Sequence, residues 1–386
     1  MFYNISLSTF LLHYVQNIIS MIKKTLSFIE RKILLYQKKH FWVRKDKERV
    51  KNVELPELSI DSKKRIGEFW IKYIHSPIDY TYFRTVVFFL GKEPKDLHFY
   101  MPRYIWYSYM YDIVNPPSVS KVFSDKLLFP LLFPSVKQPR IIIGYYNGSY
   151  ITDNFCPLTE DQAISKVLDY GNPIIIKQSV ETMGGKGIEF LDQYDSEVLR
   201  KDFNSRKKNF LVQEIVEQSN DISFYNSSSL NTIRIETLLL NGKCTVVFRM
   251  LRHGIKGMRL DNLSSGGMGV GVNEDGTLSF AVSDHICEKY DTHYSGKKYN
   301  ECRIPNISTI CDTACRLHYN VSQIGFIGWD FALDKNNDPV LIEANFYRPG
   351  TIDQYLDDKP LFGNRTQEVI DYCFNRNTSV QLKLNS

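Results

Sequence analysis

"GWDFALDKNNDPVLIEANFYRPG", residues 328–350, sets two apolar runs on either side of a turn-forming segment, Lys335 to Asp338, and so reads as a β-hairpin. Asp330 precedes Glu343 by thirteen positions, and Asn345 follows two later. Side chains alternate along a strand, so Glu343 and Asn345 share a face, and pairing sets Asp330 beside them on the neighbouring strand. Two carboxylates and an amide oxygen are hard donors suited to Mg2+. A surface hairpin with an acidic face is the plainer reading. It is disfavoured because both acids lie inside apolar runs, where an unpaired charge is costly.

More than a hundred residues earlier, the apolar run "NPIIIK" leads into "KQSVETMGGKG", residues 177–187. Glycines let backbone N–H groups approach an anion and a lysine adds a point charge; the bland alternative is a plain β-turn. The loop fails the G-x4-G-K-[ST] pattern, because Gly187 follows Lys186 and Val180 stands five before Gly185. It also fails G-x-G-x-x-G, because it runs into another strand-like segment rather than a helix. A strand-loop-strand flap over phosphates remains, with Lys177 at the end of the incoming strand.

The surrounding texture is a mixture of short strands and helices. "PRIIIGYYNGSYI" carries a hairpin turn at Asn147-Gly148, "LTEDQAISKVLDYG" is a capped helix ending at Gly171, and "NTIRIETLLLNGKCTVVFRML" turns at Asn241-Gly242. Before "NPPSVS" (115–120) the chain reads as mostly helical and rich in aromatics, with no chemical motif. The class is therefore α+β or mixed α/β rather than a doubly wound sheet. The expected divisions are amphipathic helices over 1–60, a helical aromatic-rich region over 61–114, and two lobes over 115–213 and 214–386.

With 386 residues and 43% hydrophobic content, the chain can bury a large core. A net charge of +5 without a basic-aromatic period gives no nucleic-acid signature. Seven scattered cysteines, none in a CxxC pair, suit reduced thiols in a cytoplasm rather than disulfides or zinc. The segment "ISLSTFLLHYVQNIISM" (5–21) lacks a basic n-region and a cleavage site and is interrupted by His13, Gln16 and Asn17. It fits a signal peptide and a spanning helix poorly and is read as a helix. The basic amphipathic stretch after it, 23–51, is expected to pack on its own protein, with contact to an anionic membrane surface as the alternative.

Taken in order, "SDK", the strand-ending Lys177, the glycine-rich flap, "VQEIV", an arginine-bearing strand and D-x12-E-x-N resemble the ATP-grasp superfamily. "NTIRIETLLLNG", "DNLSSGGMGVGV" and "IGWDFALD…PVLIEANFYRPG" look like its sugar-transfer-associated, teichuronopeptide-biosynthesis-like branch, over roughly residues 115–375. The resemblance implies an ATP-grasp fold in which two α+β lobes grip ATP between antiparallel sheets. It implies that Lys126 and Lys177 contact ATP phosphates, that Gly184, Gly185, Lys186 and Gly187 form the flap, and that Glu214 and the Val216 backbone meet adenine. Asp221 is assigned to the ribose, with Glu217 as competitor and a solvated loop acid as the plain alternative for both. Asp330, Glu343 and Asn345 are assigned to two Mg2+ ions.

Close relatives such as D-alanine:D-alanine ligase carry an arginine two positions before the first metal acid, where this chain has Gly328. Arg234, Arg249 and Arg252 are candidates for the stabilising cation, and Arg252 or Arg348 for the replacement. Ser264, Ser265, Gly266 and Gly267 are expected near the substrate, binding a carboxylate or acylphosphate through N–H groups; an unliganded hairpin loop is the even alternative. His253 is expected to be packed or solvated rather than a general base.

The implied activity is an ATP- and Mg2+-dependent ligation of a carboxylate to an amine through an acylphosphate. The branch's association with surface-polysaccharide genes points to a uronic-acid glycan and an amino acid as partners, in the cytoplasm or at the inner face of the membrane. A kinase-like phosphotransferase acting on a sugar hydroxyl and a non-catalytic nucleotide-binding scaffold are the alternatives.

Overall fold

The computed structural model describes residues 7–180, 187–206, 208–283, 287–349 and 354–375. A six-stranded antiparallel sheet forms the lid lobe: β1 (Ile141–Tyr146), β2 (Ser149–Ile151), β3 (Pro157–Leu158), β4 (Ile174–Gln178), β5 (Glu189–Leu191) and β6 (Phe210–Glu214). Their spatial order is β3-β2-β1-β6-β4-β5. The β1–β2 turn is the expected two-residue one, with Asn147 at φ 50° and Gly148 at φ 86°, values that suit a type I′ hairpin. The helix Glu160–Tyr170 starts in a capping box between Thr159 and Gln162 and ends at Gly171, φ 67°. Its Ala163, Ile164 and Val167 pack with Leu199 and Phe203 of the helix Ser196–Ser205 against the sheet. β4 and β5 pair directly, Ile176 opposite Glu189, so the segment joining them is a strand-loop-strand connection. Gly184, Gly185 and Lys186 lie outside the described residues.

The core lobe is a seven-stranded sheet: β7 (Thr232–Leu240), β8 (Lys243–His253), β9 (Met268–Val272), β10 (Leu278–Ser283), β11 (Lys289–Tyr290), β12 (Phe326–Leu333) and β13 (Pro339–Asn345). Its order is β11-β10-β9-β8-β7-β12-β13. The hairpin over 328–350 forms as the spacing predicts, with Gly328 opposite Asn345 and Asp330 opposite Glu343. The pairing then skips from Asp330–Glu343 to Phe331–Leu341, leaving Ile342 as an extra residue, a β-bulge. Ile342 and Glu343 consequently both reach the same cavity, which strict alternation forbids.

The N-terminal helices are part of this lobe rather than a separate unit. One buried cluster joins Trp70, Phe83, Tyr104 and Trp106 to Leu238, Phe248 and Phe326 of the sheet. Fully burying side chains of this kind contributes roughly 1.5–3 kcal/mol each. The other face is covered by the helix Ile307–His318, packed with Ile233, Leu251 and Trp329. Phe129 and Phe133 join that second cluster while Leu127 packs with Ile141 and Leu211 of the lid, so the segment before Ile141 touches both lobes and the lid sheet begins only at Ile141, not at 115.

Leu7–Arg49 is one helix of 43 residues. The expectation that its basic stretch packs on the protein holds only toward the C-terminal end. Trp42 stacks on Tyr107 at 4.5 Å and Arg103 Nε donates to the buried Asp46 at 2.6 Å. Every residue from Gln16 to Leu34 is exposed.

Candidate functional site: a cationic cavity between two sheets

A cavity of about 830 Å³ opens between the lid and core sheets. One end is apolar, formed by Ile175 of β4, Phe190 of β5, Leu230 and the bulged Ile342. The hinge residues Glu214, Ile215 and Val216 edge it. The Glu214 carboxylate accepts from the Arg140 backbone N–H at 3.0 Å, which pins the hinge to the start of β1. Such a slot suits a flat heteroaromatic ring held between apolar side chains.

The opposite end is charged. Seven lysines and arginines line the cavity against four carboxylates, so it presents a net positive surface to a polyanion. At its floor β7, β12 and β13 place Arg234, Asp330 and Glu343 side by side. Arg234 donates to Asp330 through Nε at 2.5 Å and Nη2 at 3.0 Å. Arg252 Nη2 reaches Asp330 Oδ2 at 3.0 Å, and Asn345 Nδ2 donates to the same oxygen at 3.1 Å. Burial opposes ionisation of Asp330, but the two guanidinium groups outweigh it and hold its pKa below the usual carboxylate value. The same balance, burial against Asp330, raises Arg234 above its ordinary value. Arg252 also donates to Thr232 Oγ1 at 2.9 Å, and Thr232 in turn donates to Asp261, whose pKa burial pushes up.

Gly328 is where the resemblance called for an arginine. A Cβ there would lie 3.3 Å from Arg234 Nη1 and 2.8 Å from Pro349 Cβ. The space beside the first acid is thus filled by an arginine from the neighbouring strand.

Lys126 and Lys177 enter from the lid side. Lys126 pairs with Glu343 Oε1 at 2.9 Å. Lys177 is buried, and burial together with the nearby Lys126 charge lowers its pKa to about 8. A lysine held in this state regains its full charge when an anion arrives.

Arg348 lines the cavity just beyond β13 with its backbone in the left-handed region, φ 52°. Its N–H donates to Tyr111 Oη at 2.6 Å, and Tyr107 donates to the Pro349 carbonyl. Both tyrosines come from the N-terminal helical region. The Arg348 Nε is buried without a hydrogen-bond partner among the described residues. Tyr107 and Tyr111 carry no motif, and Thr232 and Asp261 stand at the start of two of the quoted stretches without being singled out there; the sequence reading gave none of the four a role.

Several expected residues are not brought to the cavity. Asp221 accepts from Asn337 Nδ2 at 2.8 Å and faces a second hollow beside Phe224 and Lys297; Glu217 is exposed and lines neither. Ser265, Gly266 and Gly267 do not line it, and their N–H groups bond to the carbonyls of Asn262 and Leu263; the Ser264 side chain lies outside what the structure describes. Gly267 is needed there for close packing, since a Cβ would lie 2.5 Å from the Asp261 carbonyl oxygen. Arg249 points to the other face of β8, with Nε 3.3 Å from Cys311 Sγ; its odd separation from Arg252 already implies opposite faces. His253 is fully buried, bonded through both ring nitrogens, and pushed down to about 4 by burial, a packed residue. Gly187 has φ 77° at the far end of the flap segment.

The donor set fits a hard divalent cation in part as it stands. Asn345 gives its amide hydrogens to Asp330 and the Gly328 carbonyl, which leaves its Oδ1 as the free kind of ligand. Glu343 is part-exposed to the cavity. Asp330 already receives four N–H contacts, three of them on Oδ2, so Oδ1, which accepts only from Arg234 Nε, is the oxygen with acceptor capacity left for a cation. Among the described residues no three His, Cys, Asp or Glu side chains form a metal cluster, the third donor here being an amide.

A search of curated proteins returned no match. Solved structures with related folds include a D-alanine-D-alanine ligase from Coxiella burnetii at 11% identity, TM-score 0.38, over 68% of this chain and 61% of that one. An N5-carboxyaminoimidazole synthetase from Staphylococcus aureus complexed with ADP matches at 13% identity, TM-score 0.40, over 65% and 52%. A biotin carboxylase from Campylobacter jejuni, solved as a β-γ-ATP complex, matches at 12% identity, TM-score 0.44, over 67% and 48%. This chain spans less than two thirds of the length of each of the three. The sequence-family description "Sugar-transfer associated ATP-grasp" matches residues 108–369, a stretch that runs from just before Tyr111 through both sheets into the last helix. With two antiparallel sheets enclosing a cationic cavity and that match over most of its length, the chain belongs to the sugar-transfer-associated ATP-grasp family.

Proposed function

We propose that this protein is an ATP-dependent carboxylate–amine ligase. The observation that carries the reading is the convergence of Lys126, Lys177, Arg234, Arg252 and Arg348 on one cavity whose far end is an apolar slot. In the reaction a substrate carboxylate oxygen attacks the γ-phosphorus of ATP, ADP leaves, and an acylphosphate forms. An amine nitrogen then attacks the acyl carbon, phosphate leaves, and the nitrogen loses a proton, so that ATP, acid and amine become amide, ADP and phosphate.

Catalysis of this kind is mostly positioning and charge neutralisation. Lys126 and Lys177 offset phosphate charge from the lid side. Arg234 and Arg252, oriented by Asp330, supply preformed donors that need no reorganisation when charge moves. Arg348 holds the incoming carboxylate. Glu343 and Asn345, with Asp330, are the residues that would hold Mg2+, two ions by the family pattern, which would supply further positive charge to phosphate oxygens. The family's link to sugar transfer supports a uronic acid of a bacterial surface polysaccharide, or its precursor, as the acid and an amino acid as the amine. The unbridged thiols and the use of ATP suit the cytoplasm.

The test is phosphate release from ATP and Mg2+ with pooled sugar acids and amino acids, beside Glu343→Gln. Release that needs both an acid and an amine, yields ADP and fails in the variant is the expected result. A stable phosphoester formed on a hydroxyl identifies a kinase instead, and turnover unchanged in the variant overturns the site.

A further inference from the structure

The exposed half of the long N-terminal helix is the largest feature the cavity leaves unexplained. Over Gln16–Leu34 it projects about 28 Å at 1.5 Å per residue. Ile19, Ile22, Leu26, Ile29 and Ile33 recur at alternating three- and four-residue spacing, and all are exposed, Ile19 by 46% and Ile33 by 53%. Ile18, Met21 and Phe28 widen this stripe to about half the circumference at roughly 100° per residue. Ser20, Ser27, Lys24 and Arg31 occupy the opposite side. Monomeric soluble proteins rarely leave so continuous an apolar surface uncovered.

We infer that this face lies in the plane of an anionic lipid surface. Three observations select lipid over a second copy of the chain. Between residues 16 and 34 the helix carries Lys23, Lys24, Arg31 and Lys32 against the single acid Glu30, so it complements negative headgroups and repels its own copy. Its apolar arc is wider than the narrow seam that a two-stranded coiled coil buries, and Met21 and Phe28, 63% and 61% exposed, would remain outside such a seam. Lys23 flanks the arc and Lys32 stands within it beside Phe28, where long cationic side chains reach headgroups while their stems cover apolar surface. No described helix is long and apolar enough to cross a membrane, so the helix lies on the surface rather than through it.

The orientation has a consequence for the cavity. Further along the same helix Trp42 stacks on Tyr107, which bonds the Pro349 carbonyl next to Arg348. The lipid-bound helix and the Arg348 end of the cavity are therefore parts of one packed body. The inference does not depend on the ligase reading.

The experiment is co-sedimentation of the full chain with vesicles made of equal parts phosphatidylcholine and phosphatidylglycerol, and with phosphatidylcholine alone. Ile22→Glu/Ile29→Glu alters the apolar face and Ser20→Glu/Ser27→Glu the polar face; all four positions are exposed, so the fold is retained. Binding to the anionic vesicles, about tenfold weaker to the neutral ones, lost in the isoleucine variant and kept in the serine variant is expected. Absence of binding to either vesicle, or equal binding by the isoleucine variant, overturns it. So does a lipid-free dimer in sedimentation equilibrium that the isoleucine variant dissociates.

Discussion

Arg234 and Asp330 face each other across β7 and β12, joined by two hydrogen bonds of 2.5 and 3.0 Å with both side chains almost wholly buried. The pair fills the space beside Gly328 and anchors the cavity floor.

Removing one member of a buried ion pair strands the other. Arg234→Ala is expected to lower stability by about 3–5 kcal/mol in urea denaturation, since Arg252 alone remains to compensate Asp330. Gly328→Ala is expected to cost about 1–3 kcal/mol, because its Cβ meets Pro349 at 2.8 Å and the pinned Arg234 at 3.3 Å. Unchanged stability of the alanine variant would mean that Pro349 gives way.

Lys177 makes nucleotide binding proton-linked. Its pKa is lowered to about 8 in the folded protein against 10.5 for an ordinary lysine. The unfolded chain therefore binds more protons between those values, and stability rises with pH across that window while the buried charge costs stability below it. An anion beside the amine restores the charge, so binding at pH 8 is expected to take up about half a proton. Calorimetry in two buffers of different ionisation enthalpy measures it, and Lys177→Met should abolish it.

Two substitutions at Arg348 separate backbone from charge. Arg348→Gly relieves the positive φ of 52° and is expected to stabilise the protein by about 0.5–1 kcal/mol, whereas Arg348→Ala keeps the strain. Both are expected to raise the acid substrate's KM by an order of magnitude or so while ATP affinity holds. A change in ATP affinity instead would place Arg348 on the nucleotide.

Arg259 joins the lobes, stacking on Phe190 at 4.4 Å and pairing with Asp192 at 3.1 Å. Exposed pairs add little to stability, so Arg259→Ala should change it by less than about 0.5 kcal/mol. Nucleotide release should nonetheless accelerate several-fold in stopped flow, because closure of the lid over the core loses a contact.

The parts of the site that were legible share one property: their partners lie within a hairpin's reach or repeat with a short period. Asp330, Glu343 and Asn345 meet through one turn, Asn147-Gly148 and Asn241-Gly242 make their turns alone, and Lys177 ends a strand bounded by its own loop. Asp221 and residues 265–267 were misplaced because short polar loops satisfy their groups locally, through Asn337 in one case and the loop's own carbonyls in the other. Composition does not distinguish such a loop from one that awaits a ligand.

By itself the sequence determined the strand periods, the turns, the order of the segments that line the cavity and the acid-acid-amide set, because each depends on neighbours close along the chain. Only the tertiary structure decided that Arg234 and Arg252 share Asp330, that Ile342 bulges into the cavity, that Tyr107 and Tyr111 brace Arg348, and that Gln16–Leu34 is uncovered. Those outcomes depend on which strands become neighbours and on the register in which they pair. Burial then sets whether a charge is paired, shifted or left facing a cavity, and that is a property of the packed whole.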